Sequence, residues 1–199
     1  MASSVQICNI ALGTYLGKGR ITALTEGTAQ AEQCALHYDD ARREILSEWP
    51  WSFATRRQAL ARLAYNDRPE WASKFARPAN LLRLNWVNDP EEAKQAILCR
   101  EAFDTPRDVT DSHIYSDLPA ATAEFIFDQE DPTVYPPKVT QALAALLAAR
   151  MAVALTETAA KFQTAMNAYA IHLDEAKVQD IQTERPITVR RVRDYTEAR

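Results

Sequence analysis

At both ends of this chain apolar residues return every three or four positions, the period of a helix face; between residues 51 and 130 they come in short runs bounded by prolines. Ser3 or Ser4 can cap a first helix, on which Val5, Cys8, Leu12 and Tyr15/Leu16 follow at helical spacing until Gly17 and Gly19 end it. The link over 18–27 is short, and Ile21 and Leu24 are expected to dip into the core. Thr28 caps a second helix with a buried stripe of Ala31, Cys34/Ala35, Tyr38, Ala41, Ile45 and Trp49; Glu32, Asp39, Asp40, Arg43 and Glu44 form its solvated face. Pro50 has no N–H to donate and clashes with the preceding turn, so this helix has to stop there. Trp49, Trp51 and Phe53 then alternate, which predicts extended structure around a large aromatic cluster.

In the middle region the runs 51–55, 81–87, 113–115 and 123–127 read as strands, the strongest being LLRLNWV and AEFIF. Prolines at 69, 78, 90, 106, 119 and 132 punctuate them. Segment 91–103 opens with a helical pattern and admits a strand at its end. Pro136 and Pro137 open a third helix. Its Val139, Leu143, Leu146, Leu147, Val153 and Leu155 are separated mostly by alanines, so it is apolar nearly all round and belongs at the centre. A turn at 156–158 leads to a fourth helix with a narrow stripe of Phe162, Met166, Tyr169, Leu173 and Ala176, read as core. From Thr183 the pattern stops; Pro186 breaks the helix, and Ile187, Val189 and Val192 alternate with polar residues in an arm that needs a partner to order it.

The predicted fold is therefore α+β, mainly α: a long-helix bundle with a small inserted antiparallel β-subdomain and an extended C-terminal arm. Its parts are an N-terminal helical half (1–50), a β-rich subdomain (51–135), a C-terminal helical half (136–184) and a docking arm (185–199).

Charge sharpens the reading of the arm. Residues 185–199 hold five arginines against Asp194 and Glu197, a net of +3, which leaves −7 on the rest of a chain whose total is −4. An acidic body with a basic tail does not suit a general DNA binder; it suits a tail that docks on an acidic partner or on a neighbouring copy. The three cysteines, Cys8, Cys34 and Cys99, are far apart and two lie on apolar helix faces, so free buried thiols in a reducing compartment are expected. The N-terminus has no basic n-region or long apolar core, and the stretch 139–155, which includes Thr140, Gln141 and Arg150, falls short of the ~20 residues of a membrane span. A soluble protein with no membrane partner is expected.

Candidate chemistry is sparse. Gly13, Gly17, Lys18 and Gly19 come close to a P-loop, but the spacing is one residue short, no Ser or Thr follows the lysine, and a helix precedes the glycines; a helix C-cap accounts for them. His37, His113 and His172 form no metal-binding or base-and-acid frame. The acidic run Asp128, Glu130, Asp131 lacks the glycine and ligand spacing of a calcium loop. Arg56, Arg57 and Arg62 follow the tryptophans and either stack on an indole or snorkel at the surface. No catalytic, cofactor or metal residue is assigned, and no enzyme activity is expected.

Five runs nonetheless occur in an informative order: I-C-N-x-A-L-x-x-x-L-G-x-G-x-I over 7–21, A-x-x-C-x-x-x-Y-D-x-A-R over 31–42, W-P-W-S-F-A-T-R-R-x-A-L-A over 49–61, D-P-x-x-Y-P-P over 131–137 and A-L-A-x-L-L-A-x-x-M-A over 142–152. This order resembles the tail tubular protein A family, the head-to-tail adaptors of short-tailed bacteriophages; the likeness is weakest over 65–120 and after 184. The resemblance implies a subunit of a ring, usually a dodecamer, seated beneath the portal protein, receiving the tail nozzle protein and letting double-stranded DNA pass. It implies residence in the neck of the virion after assembly in the host cytoplasm, and no catalytic residues. The arm, through Arg185, Arg190, Arg191, Arg193 and Tyr195, is the expected contact with the portal or a neighbouring subunit, and Trp49, Trp51 and Phe53 the expected structural cluster. The competing expectation is a nucleic-acid-binding regulator that uses the basic tail.

Overall fold

The computed structural model describes residues 2–91, 107–110 and 112–183. Helix α1 (Ser4–Ile10) starts where the Ser3 hydroxyl accepts the Gln6 amide at 3.1 Å. It runs directly into a π-helical turn, Ala11–Leu16, which ends at Gly17 in the left-handed region (φ 67°), a conformation glycine adopts without steric cost. Asn9 holds the link that follows: its side chain donates to the Ile21 carbonyl at 2.9 Å and accepts the Ile21 amide at 2.8 Å. Ile21 is thereby buried and Leu24 packs against the core, as expected.

Thr28 caps α2 (Ala29–Glu48) by accepting the Ala31 amide at 3.3 Å, and the helix ends one residue before Trp49. The sequence stripe is buried at Ala31, Cys34, Tyr38, Ala41 and Ile45, but Ala35 is exposed, and Arg42 and Leu46 are buried beside the stripe. The next long helix, α3 (Pro137–Thr156), is buried along most of its length, consistent with a core helix approached from several sides. It is long and apolar enough by composition to cross a membrane, which corrects the length argument above; 67% of that window is covered by other parts of the chain. Glu157, in the left-handed region (φ 54°), turns the chain into α4 (Ala159–Thr183).

The middle of the chain forms two small antiparallel sheets. One has the order β1-β6-β3, from Thr55–Ala59, Thr122–Phe127 and Leu81–Asn88; the other has the order β2-β5-β4, from Ser73–Ala76, His113–Ser116 and Arg107–Val109. The β3–β6 register shifts twice, at Leu81/Arg83 and Leu84/Trp86, where the strand bends. Strand β6 sorts its residues by parity: Ile126 faces the helical core, while Ala123, Phe125 and Phe127 join a second core with Phe75, Val87 and Ile114. The architecture is thus α+β and mainly helical, with two small antiparallel sheets. The ambiguous segment 91–103 lies almost wholly outside the described residues, as do Cys99 and the arm 185–199.

Two sequence expectations fail here. The 51–55 strand is absent at its start: Ser52–Ala54 is a 3-10 turn, and β1 begins only at Thr55. Phe162, read as core, is 41% exposed, and the buried stripe of α4 is Ala165, Tyr169, Leu173, Ala176 and Asp180. At Phe162, spacing reports which residues share a face, but a face is buried only where another element reaches it; at 52–54, bonds to the Trp51 carbonyl set the turn.

Candidate docking surfaces

The aromatic cluster is a joint between helices and sheet. Pro50 closes a tight turn in which the Trp51 amide donates to the Trp49 carbonyl at 2.8 Å. Trp51 is fully buried, and its indole Nε1 donates to the Ile45 carbonyl at 2.8 Å, satisfying one of the acceptors that the end of α2 leaves open. The Trp51 carbonyl in turn accepts the Ala54 amide at 3.0 Å and the Thr55 hydroxyl at 2.7 Å. These bonds wind 52–54 into a 3-10 turn instead of the alternating strand. Ring contacts continue from Trp51 to Phe53 (5.9 Å between centroids) and from Phe53 to Tyr135 (5.6 Å).

Asp180, near the end of α4, locks this joint. It is 6% exposed, and its carboxylate accepts the Ser52 hydroxyl at 2.7 Å, the Ser52 amide at 3.2 Å and the Trp49 indole N–H at 3.3 Å. The fourth helix is thus tied to the aromatic turn by charge-assisted hydrogen bonds. Lys177 lies over the Trp49 ring at 5.9 Å.

A second lock joins α2 to the end of β6. Arg42 reaches both oxygens of Asp128 at 3.0 Å and Asp39 at 2.7 Å, and Arg43 adds a bond to Asp128 at 3.0 Å. Burial works against the Arg42 charge, but the bonds to Asp128 outweigh it and raise its pKa. Beside it, burial pushes the Tyr38 phenol up to about 12, and the Tyr135 phenol also rises through burial. Asp128 is therefore part of an ion-pair network. The arginines after the tryptophans do not stack on indoles: Arg56 lies over Phe127 at 3.6 Å, Arg57 pairs with Glu124 at 2.7 Å, and Arg62 donates to the Pro119 carbonyl at 3.4 Å.

The other candidates take structural places. Cys8 and Cys34 are free and buried, and Cys34 Sγ donates to Met151 Sδ at 3.6 Å. The hydrogen bond to Cys34, together with burial, raises the Cys8 pKa strongly and keeps it a thiol. His172 Nδ1 sits 3.3 Å from Glu175, whose carboxyl is held below its usual range by Lys138 and then by His172. Among the described residues no group of three or more His, Cys, Asp or Glu side chains gathers to hold a metal. Gly17 serves as a helix cap.

The arm residues Arg185, Arg190, Arg191, Arg193 and Tyr195 lie outside the described residues; of the aromatic residues, Trp51 and Phe53 are in ring contact and the Trp49 indole donates to Asp180. Asp180, Arg42 and Asn9 were given no role from the sequence, and Asp128 was weighed only as part of an acidic run. Asp180 carried a signal, because it continues the Tyr169, Leu173, Ala176 stripe in phase and so marks an acid on a buried face. Asp128 and Arg42 carried none, since their partners are far away in the chain.

The surface of the described residues includes two open depressions. One, of about 640 Å³, runs along the first helix between Val5, Ile10, Gly13 and Arg20; the other, of about 400 Å³, lies beside β2 near Arg62 and Lys74. Comparison with protein-family models and with curated proteins finds no match to this chain.

Proposed function

We propose that this chain is a structural head-to-tail adaptor of a bacteriophage virion, a non-catalytic ring subunit between portal and tail nozzle through which DNA passes. Its fold, on this reading, is a long-helix bundle with an inserted β-subdomain and an extended docking arm. The observation that carries the proposal is the joint around Trp51. The runs that resemble tail tubular protein A, 49–61 and 131–137, meet there through Phe53 and Tyr135, and Asp180 pins α4 to the same turn. A subunit that transmits load between two rings needs its helices and sheets fixed to each other, and two buried carboxylates provide that link. The exposed face of α2, with Glu32, Asp39 and Asp40, agrees with a body that repels phosphate.

Deleting residues 185–199 tests the arm. The truncated chain should keep its helical spectrum and urea midpoint but fail to cosediment with cognate portal rings; normal binding would remove the arm from the interface. The regulator reading rests on the +3 of that tail and predicts DNA affinity that falls steeply with salt. A filter-binding titration showing no salt-dependent retention eliminates it.

A further inference from the structure

Helix α2 turns one ridge to solvent. Glu32, Leu36, Asp40, Glu44 and Glu48 recur every fourth residue and so lie side by side along its outer surface. All are exposed except the half-buried Glu44, and Leu36, between two acids, is 64% exposed. Glu44 pairs with Arg150, but the carboxylates of Glu32, Asp40 and Glu48 have no hydrogen-bond or ion-pair partner among the described residues. Two cations towards the C-terminal half of α2 are engaged elsewhere, Arg43 by Asp128 at 3.0 Å and Lys177 by the Trp49 ring. Like charges four residues apart on a helix repel, so such a row calls for cations from another segment.

The chain carries those cations to the end of the ridge. Asp180, in the last turn of α4, is bonded to the Trp49 indole and to Ser52, so α4 ends at Thr183 close to where the ridge ends at Glu48. Sixteen residues follow Thr183, and 185–199 hold a net +3. Extended at ~3.3 Å per residue they span about 50 Å, whereas the ridge from Glu48 back to Glu32 is about 24 Å long at ~1.5 Å per residue. Pattern agrees with length: Arg190, Arg191 and Arg193 are interleaved with Ile187, Val189 and Val192, giving guanidiniums for the acids and apolar groups for Leu36. A segment tethered beside its binding face meets it at an effective concentration in the millimolar range, which favours the same copy over a second one.

We propose that in the free protein residues 184–199 fold back along the α2 ridge of their own chain, with arginines against Glu48, Asp40 and Glu32, and that docking draws them off it. Exposed ion pairs hold the contact, so it is loose and adds little to the stability of the bundle. The arm's place on α2 follows from charge, pattern and reach. Its release rests on the adaptor reading, in which the portal takes the arm.

The test puts p-benzoylphenylalanine in place of Leu36 and irradiates a mixture of isotopically labelled and unlabelled copies, free and with cognate portal rings. Crosslinks into residues 184–199 within single-isotope copies are expected, and bound rings should lower their yield. Asp40→Lys with Glu48→Lys should cut the yield of free copies roughly threefold, as loss of exposed ion pairs requires, and adding Arg190→Glu with Arg191→Glu should restore it. Crosslinks that miss the arm, mixed-isotope crosslinks, a yield indifferent to charge reversal, or rings that bind without lowering the yield would overturn the proposal. If rings bind but free copies show no crosslink to the arm, this inference falls and the adaptor reading stands. If the crosslink forms but rings never bind, the adaptor reading falls and the arm's place on α2 stands.

Discussion

Asp180→Ala is the most direct probe of the joint between the helices and the aromatic turn. The substitution removes one acceptor shared by the Ser52 hydroxyl, the Ser52 amide and the Trp49 indole. Hydrogen bonds to a charged group are worth about 1.5–3 kcal/mol each, but Ser52 is exposed and its donors rehydrate once the carboxylate is gone. The burial penalty of the carboxylate also disappears. The net loss should be about 2 kcal/mol, carried mainly by the 2.7 Å hydroxyl bond and the half-buried indole N–H. With a urea slope of ~2–3 kcal/mol/M, the midpoint should fall by about 0.7–1 M. Tryptophan fluorescence reports it, because Trp49 and Trp51 sit in the joint. Ser52→Ala alone should cost about 1 kcal/mol, and the two substitutions together should cost less than their sum, since both remove the same bond. A midpoint shift below about 0.2 M, or strictly additive losses in the cycle, would refute the view that this carboxylate fastens α4 to the turn.

Arg42→Met leaves the largely buried Asp128 with only the exposed Arg43 for a cation, and should cost roughly 3 kcal/mol, a fall in melting temperature of ~6–12 °C by calorimetry. Glu26 is held down to about 2 by bonds from the amide and hydroxyl of Thr22 and from the Thr28 hydroxyl. Because its folded pKa lies below the ordinary 4.5, its contribution is complete above pH 4.5 and lost as pH falls toward 2. Urea midpoints of the wild type and Glu26→Gln should therefore converge as pH drops through that window, and a constant difference would exclude the linkage. Removal of 185–199 should abolish portal cosedimentation without moving the urea midpoint.

The elements that local chemistry governs were legible in advance. Ser3 and Thr28 cap helices because a hydroxyl can reach an amide three residues on, and Pro50 ends α2 because it has no amide to offer. The strands 81–87, 113–115 and 123–127 were read from β-branched and aromatic content bounded by turn residues, and each falls within an observed strand. Short strands such as Ser73–Ala76 and Arg107–Val109 escaped, because they become strands only through pairing with His113–Ser116.

What lay beyond reach of the residue pattern is every relation between distant segments. Periodicity placed Phe162 and Tyr169 on one face of α4, yet only the packing of other elements leaves the first exposed and the second buried. Alternation at Trp49, Trp51 and Phe53 suited a strand, but the Trp51 indole found an open carbonyl at the end of α2 and wound the backbone into a 3-10 turn. Arg42 and Asp128 are 86 residues apart, and no spacing rule relates them. Local preferences are written in hydrogen bonds and sterics within a few residues, so the chain order carries them. Burial and ion pairing depend on which surfaces meet in space, and that is decided only when the whole chain has packed.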